Sequence, residues 1–136
     1  MFSVTSGGTY NLLYAFDGTH GYLAQATPMQ HTNGKIYGVA EGGGVHNSGV
    51  IYSMDTGAPR FVLLMTRCGR VGQTVEILGT GLTGTSSVMF GAGAATFNVV
   101  SDTYMTAVVP ANGTTGFVSV TTPTGTLTSS RTFVVH

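Results

Sequence analysis

The sequence is poor in charge and in cysteine. Only 7% of its 136 residues are charged, and five basic residues balance five acidic ones. Proteins that hold nucleic acid need Lys and Arg for their phosphate contacts, so this composition argues against nucleic acid as a partner. Cys68 is the single cysteine, so no disulfide bond can form within one chain.

Long apolar runs are missing as well. No segment approaches the roughly 20 apolar residues that cross a bilayer, so we expect no membrane span. The first residues, Met1-Phe2-Ser3-Val4, lack a basic segment followed by an apolar one, so we expect no signal peptide in this chain. Instead, Met1 begins what resembles the end of a strand, which predicts a truncated chain.

The short motifs of common enzymes are also absent. The chain has no Gly-x-Ser-x-Gly, no phosphate-binding loop, no Cys-x-x-Cys and no His-Glu-x-x-His. The sequence therefore indicates no reaction class directly, and we expect a protein without catalytic activity.

What the chain does contain is a run of short β-branched and aromatic segments separated by Gly, Pro, Asn and Ser. Alternation of apolar and polar residues at strand length predicts half-buried strands. In the second half these lie at residues 74–78, 87–90, 95–100, 103–109 and 117–121. Because they recur about every ten residues with turn signals between them, they predict a β-sandwich or barrel over residues 71–136. The alternative places the first strand of this domain earlier, from residue 61.

The first half has its own strands and an internal repeat. Residues 10–16, 35–40 and 49–54 are predicted strands, and Asn33-Gly34 before the second of these is a tight-turn signal. Residues 1–8 have the pattern of residues 50–57, which is a period of about fifty residues. We therefore predict an incomplete repeat over residues 1–57 and a linker over residues 58–70.

The repeat resembles a known bacterial family. The residues that carry the resemblance to GloVer repeats are Leu13-Tyr14-x-Phe16, Asn33-Gly34-Lys35-Ile36-Tyr37-Gly38, Glu41-Gly42-Gly43 and Gly49-Val50-Ile51-Tyr52. These tandem repeats look like kelch-type propeller blades and occur in large exported proteins. The resemblance implies a fragment of a bacterial protein that is extracellular or on the cell surface.

The second half is similar to an IPT/TIG domain. The matching residues are Val71-Gly72-Gln73-Thr74-Val75, Ile77-x-Gly79-x-Gly81-Leu82, Val88-x-Phe90, Ala95-Thr96-Phe97, Val109-Pro110 and Gly116-Phe117-Val118-Ser119-Val120. The two resemblances together imply an all-β chain, a truncated propeller-like repeat followed by an immunoglobulin-like β-sandwich. They also imply a non-catalytic binding or structural module with an adhesion, spacer or carbohydrate-proximal role.

The partners follow from the same features. A single blade cannot bury its faces alone, and an exposed apolar strand edge invites pairing with another chain. We therefore expect either a partly disordered N-terminal region or, as the preferred alternative, a homo-oligomer, a dimer with or without exchanged strands. The ligand is expected to be a carbohydrate or a protein, because the tyrosines Tyr10, Tyr14, Tyr22, Tyr37 and Tyr52 are suited to stack on sugars or fill an interface. For Tyr37 and Tyr52 a core position is the alternative that we favour.

A metal site is the competing hypothesis. Imidazole and carboxylate groups are the ligands of zinc and manganese, and the repeat loops hold five such residues: His20, His31, His46, Asp17 and Glu41. A metal-bound hydroxide there, in one chain or at an oligomer interface, would make the protein a small hydrolase of phosphoesters or activated esters. The alternative is that these are surface loop histidines, and then no cofactor is expected.

Overall fold

The computed structural model describes all residues 1–136 and contains strands, turns and loops but no helix. This confirms the predicted all-β class. The chain forms two compact units, an N-terminal unit, Met1–Ala58, and a C-terminal unit, Pro59–His136. In chain order the strands are β1 (Phe2–Val4), β2 (Tyr10–Leu12), β3 (Met29–Gln30), β4 (Ile36–Ala40), β5 (Val50–Met54), β6 (Val62–Leu64), β7 (Cys68–Gly69), β8 (Thr74–Gly79), β9 (Ser87–Phe90), β10 (Gly93–Ala94), β11 (Phe97–Ser101), β12 (Tyr104–Val108), β13 (Val118–Thr122), β14 (Gly125–Thr128) and β15 (Val134–Val135).

The C-terminal unit has two antiparallel four-stranded sheets. One has the order β11-β12-β8-β6 and the other β10-β9-β13-β14. Alternation decides which side chains enter the core, since successive residues of a strand point to opposite faces. In β8, for example, Val75 and Ile77 are buried whereas Glu76 between them is exposed.

The core of this unit is continuous. It comprises twelve buried apolar side chains, and at one point the rings of Phe90 and Phe133 meet edge to face, with centroids 5.0 Å apart. Edge-to-face contact is a favoured arrangement of aromatic rings and adds to the free energy gained from burial. The side chains from the two sheets thus close a complete hydrophobic core.

The segment predicted as a linker, residues 58–70, differs in the structure. It contains β6, which pairs with β8, and β7, which pairs in parallel with β15. Val62 in β6 is buried in the core. β6 agrees with the alternative of a first strand from residue 61. β7 corrects the linker prediction, because a strand of two residues gives no periodic signal in the sequence.

The N-terminal unit has smaller sheets. Strands β1 and β2 form a two-stranded antiparallel pair, and β3, β4 and β5 form a three-stranded antiparallel sheet with β4 in the centre. Ala40 is its only buried apolar side chain. The predicted strand over residues 10–16 ends at Leu12, and the short strand β3 lies in a stretch where the sequence predicted no strand.

Glycine takes the place of side-chain packing in this unit. Gly38 lies opposite Tyr52 in the sheet, and a Cβ atom at Gly38 would lie 2.3 Å from the Tyr52 hydroxyl. Gly43 has a φ of +87°, and a Cβ there would lie 2.3 Å from the carbonyl oxygen of Gly18. The tyrosine ring therefore covers bare backbone, and two loops approach each other where only glycine fits.

Candidate functional site

A cavity lies along the free edge of the three-stranded N-terminal sheet. Strand β5 is paired with β4 on one side only, so its other edge has no strand beside it. All five residues of β5 line a cavity of about 530 Å³. The other lining residues are Tyr14, Phe16, Thr19, His20, Gly44 and Val45. The site is thus a groove along an unpaired strand.

Three aromatic rings form one wall of this groove. Tyr14 and Phe16 meet edge to face at 5.1 Å, and Phe16 meets Tyr52 in the same way at 5.1 Å. Tyr14 and Phe16 are two residues apart in the segment that follows β2, and the Tyr52 ring lies over Gly38. The wall is half-buried and offers ring faces and edges to a ligand.

Aliphatic side chains at the rim are almost fully exposed. Val45 is 96% exposed and Ile51 is 82% exposed. More broadly, ten of the sixteen exposed large apolar side chains of the protein belong to the N-terminal unit, which has fewer than half of the residues. An exposed apolar surface next to an unpaired strand edge is typical of an interaction site.

His20 is the one imidazole in the lining of the groove, and it forms a pair with the Asp17 carboxylate at the surface. The Asp17 carboxylate lies 2.7 Å from Nδ1 of His20 and accepts a hydrogen bond from the backbone N–H of His20 at 2.8 Å. That backbone bond, followed by the His20 side chain, lowers the pKa of Asp17. Both side chains are exposed, so the pair lies in solvent, and His20 is part of the groove lining.

The other residues proposed as metal ligands lie in different surroundings. The His31 ring packs edge to face on Tyr37 at 5.5 Å, and Nδ1 of His31 accepts from the backbone N–H of Asn33. At His46 the backbone carbonyl accepts a hydrogen bond from Ser48. The Glu41 carboxylate is exposed and near the free end of the β4-β5 pair.

The structure contains no group of three or more His, Cys, Asp or Glu side chains that could hold a metal ion. Of the five predicted ligands, only Asp17 and His20 are joined by their side chains. The metal site stays a prediction, and metal analysis of the purified protein would test it.

The tyrosines divide into two groups. Tyr10 and Tyr22 are exposed, whereas Tyr14, Tyr37 and Tyr52 are half-buried. Tyr37 accepts a hydrogen bond from the Asn33 side chain at 2.9 Å. The sequence predicted exposed strand edges and aromatic side chains in this unit but not the groove.

In the C-terminal unit, the Asp102 carboxylate forms hydrogen bonds to the backbone of a loop. The two carboxylate oxygens of Asp102 accept hydrogen bonds from the backbone N–H groups of Gly81 and Thr83, each at 3.2 Å. Hydrogen bonds from Thr83, through its side chain and then its backbone, lower the pKa of Asp102. The nearby Arg60 side chain donates to Thr124. Asp102 therefore fixes the loop between β8 and β9.

The two facing sheets of the C-terminal unit define an immunoglobulin-like β-sandwich. The IPT/TIG domain family matches residues 64–135, which is more than half of the chain, and the protein belongs to this family. IPT/TIG domains are non-catalytic immunoglobulin-like modules that serve in binding or structure and mediate protein interactions. Comparison with curated proteins and with solved structures gave no match. No helix in the structure has the length and apolar character to span a bilayer.

Proposed function

We propose that the protein is a non-catalytic binding and structural module of an exported bacterial repeat protein, with an adhesive or spacer role. The observation that carries this proposal is the exposed apolar surface of the N-terminal unit beside the unpaired edge of β5. The IPT/TIG sandwich, which completes its own core, supplies the stable part of the module.

The lining of the groove supports binding rather than catalysis. It presents aromatic rings, aliphatic groups and hydroxyl groups, and its one imidazole, that of His20, is exposed to solvent beside Asp17. A catalytic acid or base usually owes its shifted pKa to burial or to a nearby charge. A groove with this lining is suited to an apolar strand or to the faces of sugar rings.

Self-association is part of the proposal. The exposed Phe2, Tyr10 and Leu12 on the β1-β2 pair would lose contact with water in a homodimer, and burial of apolar surface drives association. Placement of the parent protein at the cell surface or outside the cell rests on the resemblance to GloVer repeats. A carbohydrate ligand would stack on Tyr10 and Tyr22, the two exposed tyrosines of this unit.

Light scattering of the purified protein tests self-association. A dimer would have a native mass of about 28 kDa, twice the 14.0 kDa of one chain. Replacing Tyr10 and Leu12 together by Ser should shift the mass to that of one chain. The matched control replaces Val71 and Val100 by Ser, which are similarly exposed on the sandwich and should leave the dimer intact.

Two results would count against the proposal. A wild-type protein that stays at 14.0 kDa at high concentration would contradict self-association. Hydrolysis of an activated ester that EDTA abolishes and that is lost in His20→Ala would contradict the non-catalytic assignment.

A further inference from the structure

The internal repeat shows which strand β5 lacks. An offset of fifty residues places Phe2-Ser3-Val4 of β1 on Tyr52-Ser53-Met54 of β5, aromatic on aromatic and serine on serine. The two segments are therefore equivalent strands of successive repeats. The strand that pairs with β1 therefore indicates which kind of strand would pair with the free edge of β5.

β1 has the partner that β5 lacks. It pairs antiparallel with β2 in the register Phe2↔Leu12, Ser3↔Asn11 and Val4↔Tyr10. The pairing extends beyond the strands, because the carbonyl of Met1 accepts hydrogen bonds from the N–H groups of Leu13 and Tyr14. A strand of the β1 type thus pairs with the sequence Tyr-Asn-Leu-Leu-Tyr.

The second repeat has an equivalent of β2, but this segment already pairs with another strand. After a one-residue insertion, which makes the offset 51, Tyr10-Asn11-Leu12-Leu13 corresponds to Phe61-Val62-Leu63-Leu64, aromatic on aromatic and leucine on leucine. In the structure Val62–Leu64 forms β6, which pairs with β8, and Val62 is buried in the sandwich core. The segment that the repeat would supply to β5 has been taken into the IPT/TIG domain, and β5 keeps an open edge.

We propose that the groove along β5 binds an extended strand of another repeat, with the sequence pattern of residues 10–14, by β-strand addition. The inference rests on the proposed binding function and specifies its partner. The five residues of β5 give an edge of about 16 Å. Backbone hydrogen bonds along this edge would provide affinity, and the apolar groove beside it would provide selectivity for alternate side chains.

The equivalence also predicts the register. Because Phe2, Ser3 and Val4 face Leu12, Asn11 and Tyr10, the incoming strand should place its Leu opposite Tyr52, its Asn opposite Ser53 and its Tyr opposite Met54. The incoming leucine and tyrosine then alternate along the strand with its asparagine, so they point to the face on which the half-buried Tyr52 and Met54 lie.

The test uses the full-length protein and a synthetic peptide. The probe is residues 9–16 with lysines added at both ends and a fluorescent label, and the control peptide is the same sequence with Leu12→Pro, which removes a backbone donor from the strand. Fluorescence anisotropy should show saturable binding of the first peptide and none of the second. Hydrogen exchange should show new protection of the Val50–Met54 amides.

A pair of protein variants locates the site. Ile51→Lys puts a charge on the exposed edge and should weaken peptide binding at least tenfold. Val39→Lys is the matched control, because Val39 lies directly opposite Ile51 on the central strand β4, is also exposed, and does not line the groove. It should leave the affinity unchanged.

Three outcomes would overturn the inference: no binding of the probe peptide, equal binding to wild type and Ile51→Lys, or protection confined to strands other than β5. A dimer that Ile51→Lys dissociates but the peptide does not disrupt would also overturn it, in favour of a second copy covering the edge by other contacts. These results are distinct from a failure of the proposed function, since a dimer dependent on Tyr10 and Leu12 can persist when the peptide does not bind.

Discussion

The two units are built from the same kind of sequence but bury very different amounts of it. Both are all-β, rich in glycine and low in charge, yet twelve of the thirteen buried apolar side chains belong to the C-terminal unit. The N-terminal unit buries Ala40 alone and exposes most of its large apolar residues. Strand-forming sequence is therefore not enough to make a core, which needs a second sheet facing the first.

The difference extends to what holds each unit together. In the sandwich, side chains from two sheets interlock, so stability should depend on side-chain volume. In the N-terminal unit, loops and rings pack on bare glycine backbone, so stability should depend on backbone conformation. This contrast leads to three predictions, ordered by the size of their effects.

The largest effect is expected from emptying the sandwich core. Phe90→Ala removes a ring that is fully buried against Phe133 and should lower the free energy of unfolding of the C-terminal unit by about 3–5 kcal/mol. Urea unfolding followed by circular dichroism measures this. Phe16→Ala in the half-buried aromatic row is the matched variant and should leave the unfolding of the sandwich unchanged. Equal losses of sandwich stability in the two variants would contradict the claim that the sandwich depends on its own buried side chains.

A smaller, local effect is expected from adding a methyl group to the glycine backbone. Gly43→Ala forces a Cβ atom against the Gly18 carbonyl at a positive φ and should destabilise the loops of the N-terminal unit by about 1–3 kcal/mol. Hydrogen exchange of the β4 and β5 amides should accelerate, whereas that of β8 and β12 should not.

Gly34→Ala separates the clash from the backbone conformation. Gly34 has a φ of +85°, but a Cβ atom there meets no other atom within 4 Å. It should therefore carry only the conformational cost of about 1 kcal/mol. Similar exchange rates in the two variants would show that the close approach of the loops is not what stabilises this unit.

The accuracy with which the sequence predicted the strands also differs between the two units. Where strands alternate cleanly, as in Ser87–Phe90, the predicted and observed limits agree, because one face is buried in a real core. The strand over residues 10–16 was predicted too long, because its apolar residues line a groove and a hairpin rather than a core. β6 lies where the alternative first strand from residue 61 was expected, whereas β7 was assigned to a linker because its two residues form a strand only by pairing with the distant β15.

The candidate site was only partly predictable. The sequence indicated the repeat, the exposed edge and the aromatic residues, but the groove requires Tyr14, Phe16 and Tyr52 to come together from distant segments. For the proposed metal ligands, the sequence could indicate only contacts between residues close together in the chain. Asp17 and His20 are three residues apart and meet through a local turn, whereas no local geometry brings His31 and His46 to them.

The smallest predicted effect concerns acid stability and contrasts one carboxylate from each unit. Asp102 joins the β11-β12 turn to the loop after β8 through two backbone N–H groups, so its charge supports contacts between distant segments. Asp17 accepts bonds only from His20, three residues away. Protonation should therefore affect the folding of the sandwich through Asp102 but not through Asp17.

Because hydrogen bonds from Thr83 lower the pKa of folded Asp102, its contribution is fully present above about pH 4 and is lost as pH falls through the lowered value. Asp102→Asn should cost about 0.5–1 kcal/mol at neutral pH, since the carboxylate is screened by solvent, and the deficit should shrink toward zero in acid. Urea unfolding across this pH range measures it, with Asp17→Asn as the control that keeps the wild-type acid dependence of the sandwich. A deficit for Asp102→Asn that stays constant with pH would mean that the loop depends on the shape of the side chain and not on its charge.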